Sequence, residues 1–160
     1  PIHFLPEKIH DVWGAGLHTG KAKRAAELGD LEIIAGGPVA LGNGPHVDAA
    51  RKAVRDTTGF YVGGMGARDQ NFYNDLFKRY GYEQEAQEIQ DLFLSGKRDE
   101  AFSKVPDDYI DRASLTGDEA RVRERIEVYK DVGVTYLNID IPADTENPLE
   151  VIEKIKAWAE

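Results

Sequence analysis

The alternation of apolar and polar residues divides the chain into short apolar runs and longer stretches of helical periodicity. Residues 31–41, LEIIAGGPVAL, form a near-continuous apolar run. Such a run is typical of a strand that is buried on both faces of a parallel sheet. The sequence Gly36-Gly37-Pro38 predicts an interruption in that strand, because proline donates no ladder hydrogen bond and paired glycines favour a bulge.

Helical periodicity follows the predicted strands. Residues 1–6 predict the end of a strand, and Pro6 opens a helix; Pro45 comes at the start of another. From residue 71 to about residue 111 the pattern is helical, with breaks expected at Gly81 and Gly96. This stretch is longer than a minimal crossover and predicts an insertion at about 67–111. The residues expected to face inward in these helices are Ile9, Val12, Trp13, Leu17, Val47, Ala50, Val54, Phe72, Leu76, Tyr80, Ala86, Ile89 and Phe93.

Residues 112–160 predict a strand–helix–strand–helix order. The strands are expected at 112–115 and 134–141, and the helices start near Thr116 and Asn147, which have the residue types of helix caps. This order is typical of a parallel α/β sheet. The residues expected to face inward in the two helices are Val122, Ile126, Tyr129, Val132, Leu149, Ile152 and Ile155.

Composition narrows the possible classes of protein. The 160 residues include no cysteine, which excludes a disulfide framework and thiolate metal sites, and no apolar run approaches the roughly 20 residues of a membrane span. The net charge is −9, and residues 81–160 hold 10 basic against 20 acidic residues. An acidic surface repels phosphate backbones, so nucleic acid is not an expected partner. The acidic residues fit either solvated helix faces or docking to a basic partner, and the helical periodicity favours the first.

No general catalytic motif passes a check of its spacing. Residues 37–44 have the glycine spacing of a phosphate-binding loop, but Asn43 and Gly44 stand where lysine and serine or threonine are required. Residues 64–66 begin a dinucleotide fingerprint, but Asp69 replaces its third glycine. The four histidines lack the spacing of metal ligands. We therefore expect no metal site, and we assign no catalytic acid or base.

The segment GFYVGGMGAR at residues 59–68 has an unusual composition. Glycines beside aromatic residues and the single methionine, Met65, allow the backbone to approach a ligand closely, and Arg68 is available to pair with an anion. The same residues are equally consistent with a flexible joint between two helices. Both interpretations stay open on composition alone.

Two motifs resemble the C-terminal part of the luciferase-like monooxygenase family. They are YVGGMG at residues 61–66 and NFYNDL at 71–76. Weaker similarity extends along the chain, with AGGPVA at 35–40, IQDLFLSG at 89–96 and LTG at 115–117. The sequence most resembles the family's oxidoreductases that depend on a deazaflavin, coenzyme F420.

The resemblance implies a fold and an activity. The fold is α/β, a partial (half) TIM-type (β/α)8 barrel with parallel strands and a helical insertion, because a closed barrel needs about 250 residues. All 160 residues are expected to form one region of that barrel. The implied activity is transfer of a hydride between coenzyme F420 and an unknown small organic substrate. FMN with oxygen chemistry is the alternative cofactor.

The resemblance also implies which residues face the pocket. Most cofactor contacts in the family come from earlier strands that have no counterpart in this sequence, so the chain is expected to form mainly the wall of the substrate pocket. The two polar residues at 71 and 73 either hydrogen-bond across the mouth of the barrel or fix the loop to the insertion. The candidate pocket or cofactor residues are His3, Leu5, Gly63, Gly64, Met65, Arg68, Asn71 and Tyr73.

A half barrel leaves the edges of its first and last strands unpaired. The expected partner is therefore either the missing N-terminal half of the barrel or a second copy of the chain. As part of an enzyme the chain is expected to be incomplete or inactive alone; the other interpretation is a homodimeric binding or scaffold module. The start at Pro1 fits a truncated chain or a native start after removal of methionine. With no signal peptide in the sequence, we expect a cytoplasmic protein.

Overall fold

The computed structural model describes residues 32–160. His3, Leu5, the predicted strand end at residues 1–6 and the helix expected after Pro6 lie outside the described residues. The described elements alternate between strands and helices. In chain order they are β1 Ile34–Leu41, α1 Pro45–Gly64, α2 Phe72–Arg79, α3 Glu83–Leu94, α4 Arg98–Ser103, α5 Asp107–Ala113, β2 Leu115–Gly117, α6 Glu119–Asp131, β3 Tyr136–Asp140 and α7 Pro148–Ala159.

The three described strands form a parallel sheet with β1 in the middle, in the order β2-β1-β3. The α/β class and the parallel strands predicted from the sequence are therefore confirmed. The strand order differs from that of a closed (β/α)8 barrel, in which consecutive strands are neighbours. In the described sheet β3 pairs with the edge of β1 that β2 leaves open, so both edges of β1 are hydrogen-bonded.

The predicted interruption of β1 is wrong. The strand continues through all three residues, because its two partners pair with different parts of it: Ile34–Pro38 face β3, and Val39–Leu41 face β2. The missing N–H group of Pro38 thus falls where the pairing changes from one partner to the other. Gly36 has φ 141° and lets β3 approach closely, since a Cβ atom there would lie 1.9 Å from the carbonyl oxygen of Asn138.

The burial of β1 is also less even than predicted. Val39 and Ala40 are buried, as expected for a strand with both faces covered, but Ile34 at the start of the strand is 67% exposed. The carboxyl half of the strand therefore supplies the core, and its first residue does not.

The C-terminal unit has the predicted order of elements, with two corrections. The strand expected at residues 112–115 is wrong, since α5 continues to Ala113 and β2 begins at Leu115. Helix α6 begins after Asp118, whose side chain accepts a hydrogen bond from the Arg121 backbone N–H at 2.9 Å. It ends before Gly133, which has φ 82°.

In α7 the predicted inward face is only partly correct. Ile155 is buried, but Leu149 is 74% exposed and Ile152 is 41% exposed. Since α7 begins with Pro148, these two residues lie in its first half, where no described element covers them. The apolar stripe of α7 thus runs from an open end at the N-terminus to a packed end at the C-terminus.

Four helices, α2 to α5, lie between α1 and β2, and we call residues 72–113 the four-helix segment. The predicted helical region is confirmed here, and its two predicted breaks, Gly81 and Gly96, have φ 94° and 84°. Two members of the predicted apolar faces differ: Phe72 is 51% exposed, and Phe93 is only partly buried. The segment packs on α1, whose predicted inward residues Val47, Ala50 and Val54 are all buried.

Candidate functional site

The motif at residues 61–66 lies at the C-terminal end of α1. Gly63 is buried inside the helix and Gly64 is its last residue, so the segment is not the flexible joint that the composition also allowed. A Cβ atom on Gly63 would lie 2.7 Å from Cβ of Phe93, and one on Gly64 would lie 2.4 Å from Cε1 of the same ring. The space that these glycines leave free is therefore filled by an aromatic side chain of α3.

Met65 and Arg68 have the most exposed side chains among the described candidates. Met65 follows α1, where its backbone N–H donates to the carbonyl oxygen of Tyr61 at 3.4 Å, and its side chain is 45% exposed. Arg68 forms an ion pair with Asp91 of α3 while remaining 55% exposed. In the structure, the anionic group beside Arg68 is a carboxylate of the same chain.

Asn71 connects the end of α1 to the start of α2. Its Nδ2 donates to the carbonyl oxygens of Tyr61 and Val62 at 3.1 and 2.9 Å, and its Oδ1 accepts from the backbone N–H groups of Tyr73 and Asn74 at 3.0 and 3.1 Å. The side chain is therefore the N-cap of α2 and is only 2% exposed. Of the two roles predicted for this residue, these contacts match the one that fixes the loop.

Tyr73 lies beside this cap. Its ring meets that of Tyr61 edge to face, with ring centroids 4.7 Å apart. The structure thus brings Asn71 and Tyr73 together around the last turn of α1. Tyr61 and Val62 of the first motif supply the groups that these two side chains contact.

Asn74 was not among the sequence candidates, although it occupies the same local site. It is 1% exposed, and its Nδ2 donates to the carbonyl oxygens of Val62 in α1 and Ala86 in α3, at 3.2 and 2.7 Å. One buried amide thereby joins three helices. The signal in the sequence was the second asparagine of NFYND, three residues after the first, a spacing that places both on one face of a helix.

The carboxyl edge of the sheet supplies a different cavity. In parallel α/β proteins ligands bind at this edge, where the loops after the strands converge. A cleft of about 410 Å³ lies there, between the end of β1 and the start of α7. Its lining residues are Leu41, His46, Asp144, Thr145, Glu146, Asn147, Glu150, Val151 and Lys154.

Two basic residues of this cleft, His46 and Lys154, have partners within the chain. His46 Nε2 donates to the carbonyl oxygen of Leu41 at 2.8 Å. Lys154 Nζ donates to carboxylate oxygens of Glu150 and Glu119, each at 2.9 Å, and these hydrogen bonds raise the pKa of the lysine. Sequence reasoning missed this cleft, because the loop at 141–147 has no motif to mark it.

An ion-pair network joins the four-helix segment to the carboxyl end of β2. Asp111 of α5 contacts Arg51 of α1 at 2.7 Å and Arg121 of α6 at 3.1 Å. Arg121 Nε also donates to the carbonyl oxygen of Thr116 in β2 at 3.1 Å. The side chains of these arginines are 22% and 30% exposed, so the network is partly shielded from water. It fixes the position of the segment relative to the sheet edge.

The described part of the chain has neither a metal-binding cluster nor a membrane-spanning helix. Across residues 32–160, no three histidine, aspartate or glutamate side chains cluster so that they could hold a metal ion. Among the same residues, no helix combines the length and the apolar character that crossing a bilayer requires.

A tricyclic cofactor can be tested against the described motif residues. Phe93 fills the space beside Gly63 and Gly64, and the amide of Asn71 makes four hydrogen bonds within the chain. The described motif therefore fits packing between helices better than it fits contact with a cofactor ring.

Comparison with known proteins gives the chain a family. The family described as luciferase-like monooxygenase matches residues 2–136. A protein of Mycobacterium tuberculosis named as a putative coenzyme F420-dependent oxidoreductase is 34% identical over 140 residues, which are 86% of this chain and 39% of that protein.

A solved structure, the coenzyme F420-dependent tetrahydromethanopterin reductase from Methanopyrus kandleri, matches with a TM-score of 0.48 and 22% identity, covering 80% of this chain and 33% of the reductase. The chain thus spans between a third and two fifths of the length of these two proteins. The family match covers most of the sequence, including both motifs that carry the resemblance. The chain belongs to the luciferase-like monooxygenase family.

Proposed function

We propose that this chain is the C-terminal part of a coenzyme F420-dependent oxidoreductase, in which a hydride passes between the coenzyme and a small organic substrate. The observation that carries the proposal is the 34% identity over 140 residues to a protein named for that coenzyme. Family membership supports the reaction class, since it covers residues 2–136. In this proposal the chain contributes the wall of the substrate pocket, and the rest of the enzyme supplies most contacts to the coenzyme.

The proposed pocket wall uses the exposed side chains of the motif region. Met65 offers an apolar contact, and Arg68 keeps more than half of its side chain exposed beside its ion pair. His3 and Leu5 keep their proposed place in the wall as predictions from the sequence. The remaining four candidates support the wall from within the fold: Gly63, Gly64, Asn71 and Tyr73.

Exposed apolar side chains of the sheet unit support the view that more protein covers it. Ile34 and Tyr136 lie opposite each other in the β1–β3 pairing, and both are more than half exposed. With Leu149 they place three large apolar side chains at the surface of the described sheet and α7. In our proposal the rest of the barrel covers them; a second copy of the chain is the alternative partner.

Binding of the two candidate cofactors tests the proposal directly. The natural full-length protein is titrated with coenzyme F420 and, in a matched experiment, with FMN. We expect saturable binding of coenzyme F420. Its dissociation constant should be at least tenfold lower than that of FMN. Tighter binding of FMN would replace the proposed cofactor by the flavin, and binding of neither would refute the proposed oxidoreductase.

A substitution at Arg68 tests whether this residue of the proposed pocket wall contacts the substrate or the coenzyme. Arg68→Ala in the full-length protein is expected to leave coenzyme affinity within about twofold, because the side chain meets substrate in this proposal. Arg79→Ala, at the exposed end of α2, serves as a matched surface control. If Arg68→Ala lost coenzyme affinity and Arg79→Ala did not, Arg68 would be assigned to coenzyme binding and not to the substrate wall.

A further inference from the structure

Three glycines of α1 lie against the four-helix segment. Gly59 and Gly63 are four residues apart and therefore lie on the same face of the helix, and Gly64 is adjacent. A Cβ atom at Gly59 would lie 2.5 Å from Cδ1 of Phe102 and 3.0 Å from its Cα. Real side chains do not come so close, so only glycine allows this approach.

The aromatic side chains that fill this face come from two different helices. Phe93 belongs to α3 and Phe102 to α4, and their ring centroids are 6.2 Å apart. Phe93 also meets Phe60 of α1, at 5.8 Å between centroids, and the guanidinium carbon of Arg98 lies 5.2 Å from the Phe93 centroid. The two rings thus pack side by side, and Phe60 and Arg98 make further contacts with Phe93.

An amide and an ion pair also link α1 and the loop after it to α3, near the C-terminal end of α1. Asn74 bonds carbonyl groups of α1 and α3, and the Arg68–Asp91 pair links the loop after α1 to α3. Glycine is unfavourable within a helix, so three glycines in one helix need a compensating reason. Close packing of aromatic rings against the backbone is such a reason.

We propose that the glycine-aromatic motif is an internal docking joint: the glycine face of α1 receives Phe93 and Phe102 and thereby sets the position of the four-helix segment on the barrel. Gly63 and Gly64 act in this role as packing residues, with no direct contact to cofactor or substrate. The joint lies in the last two turns of α1, so it links the segment to the sheet through the length of that helix, which directly follows β1.

The direction in which a glycine-to-alanine substitution changes the melting temperature distinguishes a packing role from a role in contacting a ligand. If the glycine face were open, Gly63→Ala would raise the melting temperature, because alanine favours the helix. With Phe93 packed against it, we expect Gly63→Ala to lower the melting temperature by roughly 5 °C. Ala53→Gly, at an exposed position of the same helix, is the matched control and measures the helix-propensity effect alone.

A second substitution tests which atoms are in contact. At Gly64 the closest atoms are Cε1 and Cζ of Phe93, which leucine lacks, whereas at Gly63 they are Cβ and Cγ, which leucine keeps. Phe93→Leu is therefore expected to make Gly64→Ala nearly neutral when the two are combined, and to give no such relief to Gly63→Ala. The Gly64 pair keeps the test possible if Gly63→Ala fails to fold.

Hydrogen exchange gives a readout that locates the effect. The glycine variants are expected to accelerate exchange of amides in α3 and α4 while α6 stays unchanged. An increase in melting temperature, equal relief by Phe93→Leu at both glycines, or a loss of coenzyme binding with no thermal shift would overturn the proposal. Since the thermal and exchange measurements need no cofactor, their outcome does not depend on the proposed function.

Discussion

The four-helix segment with α1 and the sheet with its two following helices build their cores differently. The first core includes thirteen residues that are each 7% exposed or less, drawn from α1 to α5 and their connections. The second has six such residues and depends on nine that are only partly buried, such as Ile139 and Trp158. The first core has only five partly buried residues packed against it, so among the described residues it is the more completely buried of the two, and we call it the closed core.

The two cores differ in burial because helices and sheets cover their apolar faces in different ways. Helices that surround one another can close an apolar core within about 60 residues of chain, since each contributes one stripe. A parallel sheet has two faces and two edges, and it needs further elements to cover them. Ile34 and Leu149 show the result, because both are large, apolar and more than 60% exposed. The stability of the two regions should therefore respond differently to substitution.

The largest expected effect is in the closed core. Phe77 is fully buried, and its ring lies 4.8 Å from those of both Tyr82 and Tyr109. Phe77→Ala should lower the free energy of unfolding by about 3–5 kcal/mol through lost burial and the cavity left behind. Urea unfolding followed by circular dichroism measures this. A change below about 1 kcal/mol would show that the helical core is less tightly packed than the structure indicates.

A smaller loss is expected at the cap that joins α1 to α2. Asn71→Ala removes the N-cap of α2 and the donors to one buried and one partly buried carbonyl group, which should lower the free energy of unfolding by about 2–3 kcal/mol. Asn71→Asp keeps the capping oxygen and loses the donors, so it separates the two contributions. If the alanine variant were as stable as the original protein, the cap would not support the closed core.

The closed core also predicts a dependence on pH. Burial, and then the hydrogen bond that the Tyr82 hydroxyl donates to Asp108 at 2.7 Å, raise the pKa of Tyr82 to about 12. The unfolded chain releases this proton near pH 10, so the contribution of Tyr82 to the free energy of unfolding should be constant below pH 10 and be lost between about pH 10 and 12. In Tyr82→Phe that part of the decline should disappear. An unchanged pH profile in this variant would contradict the assignment.

The smallest effect is expected at the open side of the sheet unit. In the 160-residue chain alone, Leu149→Ala should change the free energy of unfolding by less than about 0.5 kcal/mol, because the side chain is 74% exposed. Ile155→Ala in the same helix is the matched control and should lower it by about 2–4 kcal/mol, since that residue is 3% exposed. In the full-length protein, where the proposed rest of the barrel covers Leu149, the loss for Leu149→Ala should instead approach that for Ile155→Ala; an effect that stays below about 0.5 kcal/mol there would contradict this cover.

Much of the local structure could be predicted from the sequence. The helical region after residue 71, its breaks at Gly81 and Gly96, and the buried face of α6 with Val122, Ile126 and Tyr129 follow from periodicity and glycine positions. These features depend on neighbours within a few residues, which the sequence lists directly. The family was also recognisable from two short motifs, because their residue types are rare together.

Other features depended on contacts between distant residues. The predicted break at Gly36-Gly37-Pro38 failed because β1 changes partners at Pro38, a fact set by strands about 80 to 100 residues further along. The strand predicted before Leu115 failed because the last turn of α5 packs Ala113 into the helical core. Asn74 and the cleft beside His46 were missed for the same reason, since each joins elements that are separate in the sequence.

The sequence by itself determined the α/β class, the positions of most helices and the family, because local periodicity and short motifs carry that information. Only the tertiary structure decided what the glycines of the motif contact. Composition left Gly63 and Gly64 open to a ligand or to a joint, and the close approach of Phe93, some 30 residues away, gives them a packing partner. A glycine permits close approach, and which group approaches is decided by the rest of the fold.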